Sequence, residues 1–143
     1  MNKVYLASPF FTPSQLELVE KVETILRGRG DNVFSPRENQ IEDLEYATIP
    51  WRTAVFNNDI KHVQWCDYVV AIVAEGNYCD SGTAMEIGYA YGIQKPVIVM
   101  NPTENTVNLM IADSLHAYLP SWEALKEYDF SALPVKPYVG GVI

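Results

Sequence analysis

Two carboxylates six residues apart, Asp80 and Glu86, lie in the stretch DSGTAMEIGYAYG, five residues after the apolar run DYVVAIVA. Asp80 stands where a helix N-cap belongs. There it would accept a backbone N–H of the first turn, a contribution of about 1 kcal/mol. The alternative is an acid that gives up a proton. Glu86 falls about one and a half turns into the helix, and no Lys or Arg lies three or four residues away to pair with it. It is either a solvated surface residue or a carboxylate held in a cleft with room for a substrate. In such a cleft a carboxylate can attack a sugar carbon bearing a good leaving group and form a glycosyl–enzyme ester. A second acid must then protonate the leaving group. Asp80 is a candidate, because close like charges help to keep one acid protonated near neutral pH.

Other polar residues are placed where a purely structural reason is weak. FNNDI sets Asn57, Asn58 and Asp59 inside an otherwise apolar helical stretch. All three are poor helix formers, which points to a functional Asp59. Tyr5, Phe10 and Phe11 are core residues by default, but aromatics at the carboxyl end of a strand can stack on a planar base. His62 and His116 are isolated, and their default reading is structural or surface. Cys66 and Cys79 have neither metal-ligand spacing nor a disulfide framework, which suits a reducing cytoplasm. The glycines of GTAMEIG match neither the dinucleotide nor the nucleotide-triphosphate pattern.

The elements that must position these residues alternate between strand and helix. KVYLA reads as a first strand, broken by Ser8 and Pro9. Thr12-Pro13-Ser14-Gln15 has the form of a capping box with Pro at the first helical position. Leu16, Val19, Val22, Glu23 and Leu26 follow at helical spacing until Gly28 and Gly30 stop the run. NVFS is a second short strand, and RENQIEDLEYATI is polar loop or irregular helix. A helix follows over 51–65, then DYVVAIVA, whose unbroken apolar character predicts a central parallel strand buried on both faces. A helix over 81–94 leads to the strand PVIVM. Short helices are expected near Asn108 and over 121–126, with an extended tail PVKPYVGGVI. This alternation predicts one α/β domain spanning 1–143, a parallel sheet with helices on both faces. Ligands bind such sheets beyond the carboxyl ends of the strands, where the strand order reverses. The loops after the first, third and fourth strands would meet there.

Composition narrows the partners. The apolar fraction is 48%, the charged fraction 20% and the net charge −8. That balance, without a strongly basic window, argues against nucleic-acid binding. No apolar run approaches the roughly 20 residues of a membrane span. The N-terminus reads as a strand and not as a signal sequence.

Taken together and in order, KVYLASPFF, SPRENQ, FNNDI, DSGTAMEIGYAYG and VNLM resemble the nucleoside 2-deoxyribosyltransferases, which exchange the base of a 2′-deoxynucleoside. The resemblance spans nearly the whole chain. It implies a flavodoxin-like, doubly wound parallel sheet of about five strands. It also implies ping-pong exchange with retention through a deoxyribosyl ester on Glu86, with no metal or cofactor. By position, Tyr5 would orient the nucleophile, Asp59 and Asp80 would contact the base with one of them delivering its proton, and Gln40 and Phe11 would also bind the base. In the family a neighbouring subunit completes the sugar site, a role that would fall here to Asn108 and the carboxylate of Ile143, and Met110 would line the sugar pocket. The implied partners are 2′-deoxynucleosides, free bases and further copies of the chain, in a hexamer.

The sequence departs from some members at Ala7-Ser8-Pro9, where they carry glycines, and at Ile143, where they end in an aromatic residue. Two other readings stand beside the transferase. One is a deoxynucleoside 5′-monophosphate N-glycosidase of the same fold, kept open by Ser8 and Ser81. The other is a non-catalytic nucleotide or flavin-binding module.

Overall fold

The protein is described by a computed structural model covering residues 1–76 and 78–143. Five strands form one parallel sheet: β1 (Lys3–Ala7), β2 (Asn32–Phe34), β3 (Tyr68–Ile72), β4 (Val97–Met100) and β5 (Ala117–Leu119). The strand order is β2-β1-β3-β4-β5, with every adjacent pair parallel. That is the flavodoxin-like order, whose reversal lies between β1 and β3. The helices are α1 (Pro13–Gly28), α2 (Ile49–Trp65), α3 (Ser81–Gly92), α4 (Leu109–Ser114) and α5 (Trp122–Glu127), with a short 3-10 turn at Pro36–Glu38.

Strand alternation sorts the side chains between two cores. Val4 and Leu6 of β1 face α1 and α5, with Val19, Val22, Leu26 and Leu125. Tyr5 and Ala7 face the other way, with Val63 of α2, Ile87 and Ala90 of α3 and Ile111 of α4. β3 is buried at all five positions, as its unbroken apolar run requires. At the reversal Ala7 pairs with Ala71, both on the α2/α3 face.

The termini of the elements follow local chemistry. The capping box on α1 forms in full: Thr12 Oγ1 accepts from Gln15 N while the Gln15 side chain accepts from Thr12 N. α2 starts two residues before the expected Trp51, because Thr48 caps it and Pro50 is accommodated in the first turn. α3 stops at Gly92, two residues before the expected Gln94, whose φ of 64° is left-handed and cannot continue a helix. β5, three residues of AYL, had no separate signal in the sequence. The tail makes only isolated bridges, Ala117 with Lys136 and Val107 with Val142.

A buried ion pair fixes the segment after β2. Glu23, on the otherwise apolar stripe of α1, is 2% exposed and accepts from Arg37 Nε at 2.6 Å and Nη2 at 2.8 Å. Arg27 and Glu38 extend the network across the same junction. Among the described residues, no helix is long and apolar enough to cross a membrane.

Candidate active site

Glu86 and Tyr5 meet. Glu86 projects from α3 toward β1, where the buried Tyr5 hydroxyl donates to its Oε2. Burial pushes the Glu86 carboxyl up to about 8. Of the two readings left open by the sequence, the solvated surface glutamate falls away. The Tyr5 hydrogen bond opposes the effect of burial, because it favours the ionised carboxylate.

Beneath Tyr5 lies an aromatic column that the sequence did not reveal. The Tyr5 ring stacks on Phe34 of β2 at 5.6 Å, and Phe34 stacks on His62 of α2 at 3.7 Å with planes 10° apart. His62 Nδ1 lies 2.7 Å from the Asn58 carbonyl and its ring meets Trp65 edge-on. His62 is thus a packing residue, as its isolation suggested, but one that supports the tyrosine holding Glu86. The only sequence signal was its spacing of three from Asp59 along one helix.

Asp59 is half-buried on α2, and burial raises its carboxyl to about 6. Asp80 caps α3: its Oδ2 accepts from Thr83 N at 2.9 Å and Thr83 Oγ1 at 3.0 Å. The capping role is therefore real, and it leaves a second role open. Among the described residues, no hydrogen bond joins Asp59 or Asp80 to Glu86, so the three carboxylates are contributed separately by α2 and by two turns of α3.

The remaining candidates lie at the margins. Phe11 is 70% exposed in the loop after β1, its ring tilted on Phe10 at 4.6 Å. Gln40 is exposed in the loop after the Arg37 anchor, and its Nε2 donates to the Pro36 carbonyl at 2.7 Å. Asn108 and Ile143 come together within the chain: the Ile143 carbonyl-type oxygen accepts from Leu109 N at 3.1 Å and Asn108 Nδ2 at 3.4 Å. Asn108 also caps α4 through Met110 N. Met110 itself is 76% exposed. It borders a cavity of about 670 Å³ between α3 and α4, lined also by Tyr78, Ala84, Ile87, Tyr91 and Leu109. This cavity is the largest described, yet Glu86 does not line it. It is an open apolar groove on another side of α3 from the Glu86–Tyr5 pair. Among the described residues, no group of three or more His, Cys, Asp or Glu could hold a metal ion.

The comparisons with known proteins agree with this architecture. A family model described as nucleoside 2-deoxyribosyltransferase matches residues 4–118. A nucleoside deoxyribosyltransferase of Limosilactobacillus fermentum is 26% identical, over 96% of this chain and 91% of its own length. A solved 2-deoxyribosyltransferase from Bacillus psychrosaccharolyticus is 50% identical with a TM-score of 0.91, over 95% of this chain and 98% of that one. A CMP N-glycosidase of Clostridium botulinum shares the fold alone, at 21% identity and a TM-score of 0.50 over 68% of this chain and 70% of that one.

Proposed function

From the premise that the chain belongs to the nucleoside 2-deoxyribosyltransferase family, we propose that it exchanges the base of 2′-deoxynucleosides through a covalent deoxyribosyl ester on Glu86. The observation that carries this reading is the Tyr5–Glu86 pair, a partly buried carboxylate held by one phenolic donor.

In the first half-reaction the ionised Glu86 attacks the anomeric carbon. The C–N bond breaks, its electron pair goes to the base, and the base takes a proton from an acid. Asp59 is assigned that role, since burial keeps its proton to a higher pH than an ordinary aspartate. Asp80, with Oδ2 already committed to Thr83, is assigned to binding the base. Phe11 stacks on the base and Gln40 hydrogen-bonds its edge. A second base then attacks the ester from the face the first one left, the incoming base returns a proton to Asp59, and Glu86 is released. Two inversions give retention, and a departed first product gives ping-pong kinetics. This chemistry draws on carboxylates alone and needs no metal or cofactor.

The site is proposed to be shared between copies of the chain in a hexamer. Asn108, Met110 and Ile143 are clustered at one edge, with exposed Tyr78, Tyr91 and Leu109 around them. Such an exposed apolar patch suits burial by another subunit. The two free cysteines suit a reducing cytoplasm. The N-glycosidase alternative needs a donor for a 5′-phosphate; the Ser8 hydroxyl already donates to the Pro9 carbonyl, which leaves Ser81 as the serine for that role.

The test is a chromatographic assay of 2′-deoxyinosine with excess adenine, beside a reaction without acceptor and a Glu86→Ala control. The expected outcome is 2′-deoxyadenosine, formed only with Glu86 intact. Release of hypoxanthine without a new nucleoside would move the reading to the hydrolase. No turnover with any base would move it to a binding module.

A further inference from the structure

Gln15, in the first turn of α1, uses both ends of its side-chain amide on loops that flank the β1/β3 reversal. Its Oε1 accepts from Phe11 N at 2.8 Å and Thr12 N at 3.1 Å, and its Nε2 donates to Glu75 Oε1. An amide oxygen only accepts and an amide nitrogen only donates. Two N–H groups on one side and a carboxylate on the other therefore fix its orientation. The bond to Thr12 belongs to the capping box and serves α1. The bond to Glu75 does not, since Glu75 lies 60 residues further on, just beyond β3.

Glu75 stands on a fixed post. Asn105, in the loop after β4, donates from Nδ2 to the carbonyl of Ala74 at 2.9 Å. Asn101, fully buried, in turn donates from Nδ2 to the Asn105 carbonyl at 3.0 Å. Asn101 thus holds Asn105 and Asn105 holds the Ala74 carbonyl; from the adjoining Glu75 the hydrogen bonds run through Gln15 to the backbone of Phe11. That residue needs such support, because its exposed ring is directed chiefly by the backbone that carries it.

We propose that Gln15 and Glu75 are positioning residues that hold Phe11 at the mouth of the base-binding cleft, setting base affinity and leaving the chemistry at Glu86 untouched. This rests on the deoxyribosyl-transfer reading of the site.

Three variants separate the positioning role from the capping role. Glu75→Ala removes the acceptor and leaves the capping box whole. Gln15→Glu keeps a capping box, since Glu serves at that position as well as Gln, but sets carboxylate against carboxylate. The double exchange, Gln15→Glu with Glu75→Gln, restores a donor–acceptor pair in the opposite sense. In each single variant KM for nucleoside and for acceptor base is expected to rise roughly tenfold while kcat stays within about twofold. The melting temperature of Glu75→Ala should stay at the wild-type value, and the double exchange should return KM toward it. Independently of activity, amide hydrogen exchange at Phe11 and Thr12 should quicken in Glu75→Ala. Unchanged KM in active single variants, a double exchange as impaired as Gln15→Glu, or unchanged amide exchange would each overturn the proposal. A wild-type protein that transfers no deoxyribosyl group would instead remove the functional reading, and amide exchange would still decide whether Glu75 holds the loop.

Discussion

Tyr5 is 0% exposed and spends its hydroxyl on Glu86, so a side chain from the third residue of β1 sets the direction of a carboxylate 81 positions later. Only parallel pairing of β1 with β3, and the packing of α3 over both, makes that bond.

Removing the hydroxyl leaves the carboxylate without its donor. Tyr5→Phe is expected to lower kcat on the order of 10- to 100-fold, the effect of a lost hydrogen bond to a charged group. The ionised form of Glu86 loses support, so the alkaline limb of the pH–rate profile, where activity falls, should move to higher pH. Steady-state kinetics against pH would show both. An unchanged profile would mean that Tyr5 only packs.

Glu86 near 8 and Asp59 near 6 imply a productive form in which the protons are reversed, with Glu86 ionised and Asp59 protonated. A gap of that size makes the form about one part in a hundred of the free enzyme at the optimum. The profile of kcat/KM should be a bell with limbs near 6 and 8. Asp59→Asn should leave a single rise near 8 and much lower activity. A bell that survives this substitution would assign the acid elsewhere.

The same burial acts on stability. The folded Glu86 keeps its proton from its ordinary 4.5 up to about 8, so its contribution is present in acid and is lost as pH rises through that window. Glu86→Gln should therefore melt higher than wild type at pH 8 to 9, by a larger margin than any difference found near pH 5. Calorimetry at the two pH values tests the sign.

The cap made by Asp80 and its proposed contact with the base are separable. Asp80→Asn keeps an acceptor for Thr83 and should leave stability within about 0.5 kcal/mol, whereas Asp80→Ala should cost about 1 kcal/mol. Both should reduce activity if the carboxylate binds the base. Retained activity in Asp80→Asn would reduce Asp80 to its cap.

Glu23→Ala removes the close partner of the partly exposed Arg37 and leaves it Glu20 at 3.9 Å. Losing these charge-assisted hydrogen bonds should cost about 1 to 2 kcal/mol in urea unfolding. It should also raise KM for the base, because the segment that carries Gln40 begins at Arg37. A variant that unfolds like wild type would show the pair to be idle.

A good part of this was legible in one dimension. Thr12–Gln15 announced its capping box, and DYVVAIVA its central strand, because both signals are local. Asp59 and Glu86 stood out because their types conflict with helical, apolar surroundings. β5 stayed hidden, since three residues of AYL take strand form only by pairing with β4. The Phe34–His62 column stayed hidden for a related reason. Its members come from β2 and α2, and nothing in either stretch says that they stack.

The sequence by itself determined the alternation of strands and helices, the caps, and which carboxylates were out of place, because these depend on the chemistry of neighbours along the chain. The resemblance to a family named their roles, and residues 4–118 match that family. Only the tertiary structure decided that Glu86 is held by Tyr5, that burial lifts Glu86 and Asp59 well above ordinary carboxylates, and that Gln15 reaches Glu75. Each of these is a contact or a loss of water between segments far apart in sequence, fixed only when the strands take the order β2-β1-β3-β4-β5.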